Sequence, residues 1–361
     1  MDKIFWGRSL ACAEYERDLF EKFLLLPNEE IKNICANSNG EPFHLIRSEF
    51  FDLAFIDNIY QMAKIIKKNW KAQPQWMQSL LKGKSTLLYF NQPSSRTFLS
   101  FSSAASMVGL RHEEVRSIQT SSSVKGESDK DALRTLSSYF DCLVCRHPSD
   151  VFDLFSVWAL THSDREIPVI NAGSGVSQHP TQSLLDYYTI KESFNGQVDG
   201  LKIGFVGDCL RGRTVHSLAK ILSLFKGVKL LFISPKELSL DEGTKKFLDE
   251  RQVNYECLSG PISDYVKDLD VIYMTRIQDE HGGTSSVRDE YLFKLDDLES
   301  MPTSSILMHP MPKREEIDPR IDFLQRDPRV MYWRQQRNGM WVRAAIFAHL
   351  FNKTEQVFNL S

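Results

Sequence analysis

Short apolar or β-rich runs alternate with helical stretches along most of the chain. STLLYF is followed by TFLSFSSAASMVGL, DCLVCR by VFDLFSVWAL, and IPVINA by TQSLLDYYTIKESF. The second half repeats the rhythm with LKIGFVGD and GRTVHSLAKILSLF, then KLLFISP, LDVIYMTR and SSILMHPMP. Strands interleaved with helices at this spacing predict parallel sheets covered by helices on both faces. Upstream, FFDLAFIDNIYQMAKIIKKNW carries apolar residues at helical spacing and ends in lysines, as a helix C-terminus prefers. The final segment, RNGMWVRAAIFAHLFNKT, predicts an amphipathic helix.

At 361 residues the chain suits two cores better than one. The expected fold class is therefore α/β, with two doubly wound parallel-sheet domains. The polar, glycine-containing stretch KESFNGQVDG places the boundary between a domain over 48–190 and a second over 191–337. Residues 1–47 form an N-terminal extension of mixed helical pattern whose task the sequence does not reveal, and the helix over about 338–361 is expected to pack back on the first domain.

Composition narrows the function classes. With 42% hydrophobic residues, 25% charged residues and a formal charge of −3, the chain has no basic field for nucleic acid. Any anion site must be local. Cys12, Cys35, Cys142, Cys145, Cys209 and Cys257 are scattered, and no second close pair completes a metal set with CLVC, which reads as strand. Buried core thiols in a reducing cytosol are the expectation. MDKIFWGRSLACAEYERD has no sustained apolar segment and no stretch approaches ~20 apolar residues, which predicts a cytoplasmic protein with no membrane partner.

Open parallel sheets bind ligands at the carboxyl ends of their strands, so the residues just after each strand are the candidates. After STLLYFNQP come Ser94, Ser95, Arg96 and Thr97; after DCLVC come Arg146, His147 and Pro148; after IPVINAGSGVSQ come His179, Pro180, Thr181 and Gln182. Hydroxyls and free N–H groups at a helix start, flanked by arginines, suit a phosphorylated small molecule. The plain alternative makes Ser94 a helix N-cap and Arg96 a surface charge. GDCLRGRT matches the P-loop spacing except that Arg213 replaces its lysine, and no acidic metal ligand follows a later strand. Arg213, Arg276 and Gln278 read instead as cationic and amide donors suited to a dicarboxylate. His147 reads as structural.

These pieces match a family. PSSRT resembles the STRT phosphate motif of the transcarbamylases, and RHP, QHPTQSLLDYYTI, GRTVHSL, TRIQ and HPMP resemble the aspartate carbamoyltransferases in particular, in the same order from near 48 to near 350. An ornithine-type enzyme would show SMG and HCLP at the corresponding places. The resemblance implies two domains around an interdomain active-site cleft, the first binding carbamoyl phosphate and the second L-aspartate, in de novo pyrimidine biosynthesis. It implies that Ser94, Ser95, Arg96, Thr97, Arg146, His179 and Gln182 hold carbamoyl phosphate, with Ser121 and Lys125 on a loop donated by a neighbouring subunit of a homotrimer. Arg213, Arg276 and Gln278 would hold aspartate, Lys125 reaching it as well, and the backbone around Pro310 and Pro312 would position the carbamoyl group. Arg96, Thr97, His179, Lys125 and Arg146 would be catalytic, with no metal or organic cofactor required.

The chain also departs from the family pattern. Phe98 stands where a second arginine is usual, Gln92 where an acid is usual, and His281 where a base follows the TRIQ arginine. Because the direct ligand positions are kept, the expectation is an active enzyme with altered closure or regulation. Two alternatives are a non-catalytic binding or assembly subunit and a transcarbamylase for another amino acceptor. Regulatory or pathway partners are not legible.

Overall fold

The computed structural model describes residues 10–116, 127–175, 178–277, 289–324 and 326–360. Its contacts divide the chain into two compact units, Met1–Thr181 with Met340–Ser361, and Gln182–Gly339. In chain order the elements are α1 (Leu10–Leu24), α2 (Asn28–Ile34), α3 (Leu53–Asn69), α4 (Pro74–Ser79), β1 (Ser85–Phe90), α5 (Ser95–Met107), β2 (Arg111–Val115), α6 (Asp129–Tyr139), β3 (Leu143–Arg146), α7 (Phe152–Thr161), β4 (Val169–Asn171) and α8 (Pro180–Ser193). They continue with β5 (Lys202–Val206), α9 (Arg213–Leu222), β6 (Lys229–Ile233), α10 (Glu242–Glu250), β7 (Asn254–Leu258), β8 (Val271–Met274), α11 (Leu295–Ser300), β9 (Ile306–Met308), α12 (Tyr332–Leu350) and α13 (Thr354–Phe358).

Both sheets are parallel throughout. The first runs β2-β1-β3-β4 and the second β7-β6-β5-β8-β9. Strand order reverses between β1 and β3 in one and between β5 and β8 in the other, and at such a reversal the connecting segments diverge and leave a crevice beyond the strand ends. PSSRT follows β1 and RHP follows β3; GDCLRGRT follows β5 and TRIQ follows β8. The topology thus sets the predicted ligand segments at the two reversals.

The central strands β1, β3 and β8 are buried along their length, and β5 and β6 are buried beyond their first lysine, as the apolar runs predict. The outer strands β2, RHEEV, and β7, NYECL, were not legible as strands because both are largely exposed. Charge on an edge costs no burial and discourages pairing with another chain.

Residues of the N-terminal extension acquire a structural task. Phe20 of α1 meets Phe155 of α7 edge-on at 5.3 Å, and Leu45 bridges to Ile170 of β4, donating to Val169 O and accepting from Asn171 N. The extension covers the exposed side of β4. The C-terminal part of α12 is not amphipathic: Trp341–Leu350 is buried on every side. Trp341 packs on Trp70, the residue that ends α3, Phe347 on Phe101 of α5, and His349 bonds to Pro42 O, so three separate segments cover it. Cys142 and Cys145 are core thiols, and burial pushes the Cys142 thiol up to about 12. Among the described residues no helix is long and apolar enough to cross a membrane, and no cluster of ligating side chains could hold a metal ion.

Candidate active site

In the first unit the loop after β1 is tied to β3: Asn91 and Gln92 both donate their N–H to Arg146 O, at 2.9 and 3.2 Å. Ser94 is the N-cap of α5 with extended backbone, yet its hydroxyl makes no capping bond. The first N–H groups of a helix have no partner inside it, and among the described residues no side chain takes that role. Ser95 and Arg96 are exposed, Thr97 and Phe98 buried. No carboxylate among the described residues pairs with Arg96, and partial burial moves its guanidinium below its usual range without discharging it. Among the described residues, hydroxyls, N–H groups without a side-chain cap and an arginine without a carboxylate partner therefore share one helix start, a combination whose charge and dipole favour an anion.

Phe98, where the family pattern has arginine, meets Phe90 edge-on at 5.5 Å, and the Arg116 guanidinium lies 4.5 Å from its ring centroid. A cation is thus supplied beside position 98 from the end of β2, held on an aromatic face. Gln92, at the acid's place, keeps a buried Oε1 with no hydrogen-bond partner among the described residues.

Arg146 and His179 are both buried, and they converge on Gly173, between β4 and α8. A Cβ at Gly173 would lie 2.8 Å from His179 Cδ2 and 2.9 Å from Arg146 Nη1. Arg146 Nη1 donates to Ala172 O at 3.2 Å. The loop is held from below by Asn171, whose Oδ1 accepts the N–H groups of Gly173 and Ser174, each at 2.8 Å, while its Nδ2 donates to Asp153 at 2.8 Å. A histidine and an arginine at the ends of different strands are thereby fixed side by side.

His147 is buried and stacks on Phe152 at 4.1 Å, with Nδ1 accepting the Ser149 N–H. Burial lowers its pKa from 6.5 to about 4. Between those pH values the unfolded chain takes up a proton that the folded chain refuses, so stability falls as pH falls through the window. The loss amounts to about 3 kcal/mol. His147→Asn keeps an acceptor for Ser149; urea unfolding at pH 7.5 and 4.5 should show a smaller acid loss for the variant. Equal losses would contradict this account.

In the second unit β5 and β8 pair directly, and Thr275, one residue beyond β8, donates both its N–H and its hydroxyl to Val206 O at the end of β5. Arg213, first residue of α9, and Arg276 follow these two strand ends, both half-buried. Asp208 Oδ1 accepts the Arg211 N–H at 2.9 Å, so a carboxylate already fills the turn that a P-loop would give to phosphate. Gln182 donates to Asp186 Oδ1 at 3.0 Å.

The HPMP segment is built around His309, whose Nδ1 accepts the Met311 N–H at 2.8 Å. His309 Nε2 then carries the proton and faces Glu316 Oε1 at 2.8 Å. Burial opposes the Glu316 charge, but bonds from His309 and the Arg314 N–H outweigh it and hold its pKa below the usual range. Pro310 is half-buried and Pro312 exposed.

The structure thus brings Ser94, Ser95, Arg96 and Thr97 onto one turn and Arg146 and His179 together, and it sets Arg213 and Arg276 at adjacent strand ends. Ser121, Lys125, Gln278 and His281 lie outside the described residues. Sequence reasoning passed over Gly173, Asn171, Asp186 and Glu316. GSG after IPVIN was the one available hint, since glycines after a strand mark close approaches.

Two parallel α/β units, with hydroxyls, arginines and a histidine gathered after the strands at their order reversals, have the make-up of a group-transfer enzyme. Residues 44–192 match the aspartate/ornithine carbamoyltransferase carbamoyl-P binding domain and residues 199–350 the Asp/Orn binding domain of that family. The aspartate carbamoyltransferase catalytic subunit of Methanocaldococcus jannaschii is 41% identical over 281 residues, 76% of this chain and 88% of that protein. Chloroplastic aspartate carbamoyltransferase 1 of Pisum sativum is 37% identical over 330 residues, 88% of this chain and 81% of that protein. The Trypanosoma cruzi aspartate transcarbamoylase solved with carbamoyl phosphate and aspartate superposes with a TM-score of 0.76 at 32% identity, covering 84% of this chain and 94% of that one. The chain belongs to the aspartate/ornithine carbamoyltransferase family.

Proposed function

We propose that the chain transfers the carbamoyl group of carbamoyl phosphate to the amine of L-aspartate, giving N-carbamoyl-L-aspartate and phosphate. One observation carries the residue assignment: the convergence of Arg146 and His179 at Gly173, on the same sheet end as an unpaired Arg96 at a free helix start. In this reading the phosphate rests on the α5 N-terminus, the hydroxyls of Ser94 and Ser95, Arg146 and Lys125. Arg96, Thr97 and His179 donate to the carbonyl oxygen, where negative charge grows as the amine attacks. Gln182 and the backbone at Pro310 and Pro312 meet the carbamoyl amino group. The C–N bond forms, the C–O bond to phosphate breaks, and the departing phosphate takes a proton from the amine. Holding two anions in line supplies ~7 to 11 kcal/mol of the barrier lowering.

Residues 48–190 with the C-terminal helix would then be the carbamoyl-phosphate domain and 191–337 the aspartate domain. Purified protein with both substrates at millimolar concentration should form carbamoyl aspartate, and ornithine should not replace aspartate; no product from aspartate would end this reading. Arg213→Ala should raise the aspartate KM more than about tenfold, because a charge-assisted hydrogen bond is lost, with carbamoyl phosphate affinity kept. Equal weakening of both substrates would remove Arg213 from the aspartate site. With Lys125 reaching a neighbour's substrate, the working form is a homotrimer; a fully active monomer by light scattering would refute it.

A further inference from the structure

In the second unit one carboxylate ties α8, which carries Gln182, to β8 and α12. Asp186 is fully buried on α8, one turn after Gln182. Its Oδ1 accepts Gln182 Nε2 at 3.0 Å and Gln335 Nε2 at 2.6 Å, and its Oδ2 accepts the Tyr273 hydroxyl at 2.7 Å. Gln335 lies on α12, and its Oε1 takes the His309 N–H at 2.9 Å, at the head of HPMP. Tyr273 lies in β8, three residues before Arg276. Burial, and then the charge of Asp186, push the Tyr273 phenol well above its usual range, so it stays a donor.

A carboxylate offers only acceptors, whereas a primary amide offers two donors on one side and an acceptor on the other. An amide beside Asp186 must therefore turn its NH₂ inward and its oxygen away. For Gln335 the oxygen so turned meets a backbone N–H, which needs an acceptor. For Gln182 the oxygen meets no donor among the described residues. A buried amide oriented this way offers one unused acceptor, and a carbamoyl amino group is a donor that needs one.

We propose that Asp186 is a positioning residue that fixes the Gln182 amide with its oxygen outward, so that the site selects a phosphorylated carbonyl bearing NH₂ over one bearing methyl. The proposal deepens the carbamoyl phosphate reading and rests on it. A polar site that has paired one face of an amide rejects analogues that leave the other face unpaired. The negative charge matters because asparagine at 186 can turn either its oxygen or its NH₂ toward Gln182, and then no longer dictates the glutamine's orientation.

Isothermal titration of the whole protein with phosphonoacetamide and with acetonylphosphonate, which differ only in NH₂ against CH₃, reads the selection directly. Wild type should prefer the amide by about tenfold or more, the worth of one buried hydrogen bond. Asp186→Asn should narrow that ratio at least about fivefold, with the melting temperature showing that the variant is folded. Gln182→Met removes the amide that Asp186 orients and should narrow it at least as far; if Asp186→Asn does not fold, Asp186→Glu, which moves the carboxylate by one methylene, takes its place and should also narrow the ratio. A ratio unchanged from wild type in a folded Asp186 variant overturns the positioning role alone, and one unchanged in Gln182→Met also removes Gln182 from the carbamoyl amino group. Wild type that binds neither compound overturns the carbamoyl phosphate reading, and the positioning role with it.

Discussion

Arg96→Ala should lower kcat by about 10²- to 10³-fold, the cost of removing one donor from a developing oxyanion. The melting temperature should stay within about 2 °C, because an exposed side chain away from core and network contributes little to stability. The contrast is unusual for an arginine. Other arginines among the described residues are held, as Arg329 is by Asp327 at 2.8 Å and Arg343 by Ser100 at 2.7 Å. Among the described residues Arg96 has no such partner, so its charge is available to a bound anion. Steady-state assays with both substrates, beside a calorimetric melt, test both halves. Activity within threefold of wild type would remove Arg96 from the reaction, and a large fall in melting temperature would show that it supports the fold.

Gly173→Ala should cost both stability and activity. At φ +94° an L residue is strained, by about 1 to 3 kcal/mol. The added methyl must also displace His179 and Arg146, with which it would clash at 2.8 and 2.9 Å. Neither ring nor guanidinium can retreat freely, since both are buried and Arg146 is bonded to Ala172. A displacement near 1 Å in catalytic groups costs about 10²-fold in rate. Gly196→Ala separates the two effects: its φ is +92°, but nothing lies within 4 Å of the added carbon. Urea unfolding should show a loss in both variants, while only Gly173→Ala should lose kcat. If both lost activity alike, backbone strain and not displacement of His179 and Arg146 would be the cause.

The sequence was most legible where burial and chemistry act along the chain. STLLYF, predicted as a strand from six consecutive β-rich residues, is β1 from Ser85 to Phe90. PSSRT could be read as an anion site because helix start, hydroxyls and arginine are neighbours in sequence. The motifs that mark the family are likewise local, and they account for Arg146, His179, Gln182 and Arg213 as candidates.

What stayed illegible depends on neighbours far apart in sequence. RHEEV and NYECL have the polarity of loops, and only their places beside β1 and β6 make them strands. RNGMWVRAAIFAHLF has a pattern that suits one exposed face, but Trp70, Phe101 and Pro42 arrive from elsewhere to cover it. Gly173 is one of 18 glycines until folding sets His179 and Arg146 against it. Asp186 is one acid among the polar and apolar residues of α8 until Tyr273 and Gln335, 87 and 149 residues away, donate to it.

By itself, then, the sequence determined the class of fold, the candidate anion segments and the family, because strand burial, helix starts and motif spacing are local properties of the chain. Tertiary structure decided which of those segments share a sheet end, which glycine must carry no side chain, and which way a glutamine amide faces. Those outcomes depend on strand order and on contacts between residues that have no proximity until the chain folds.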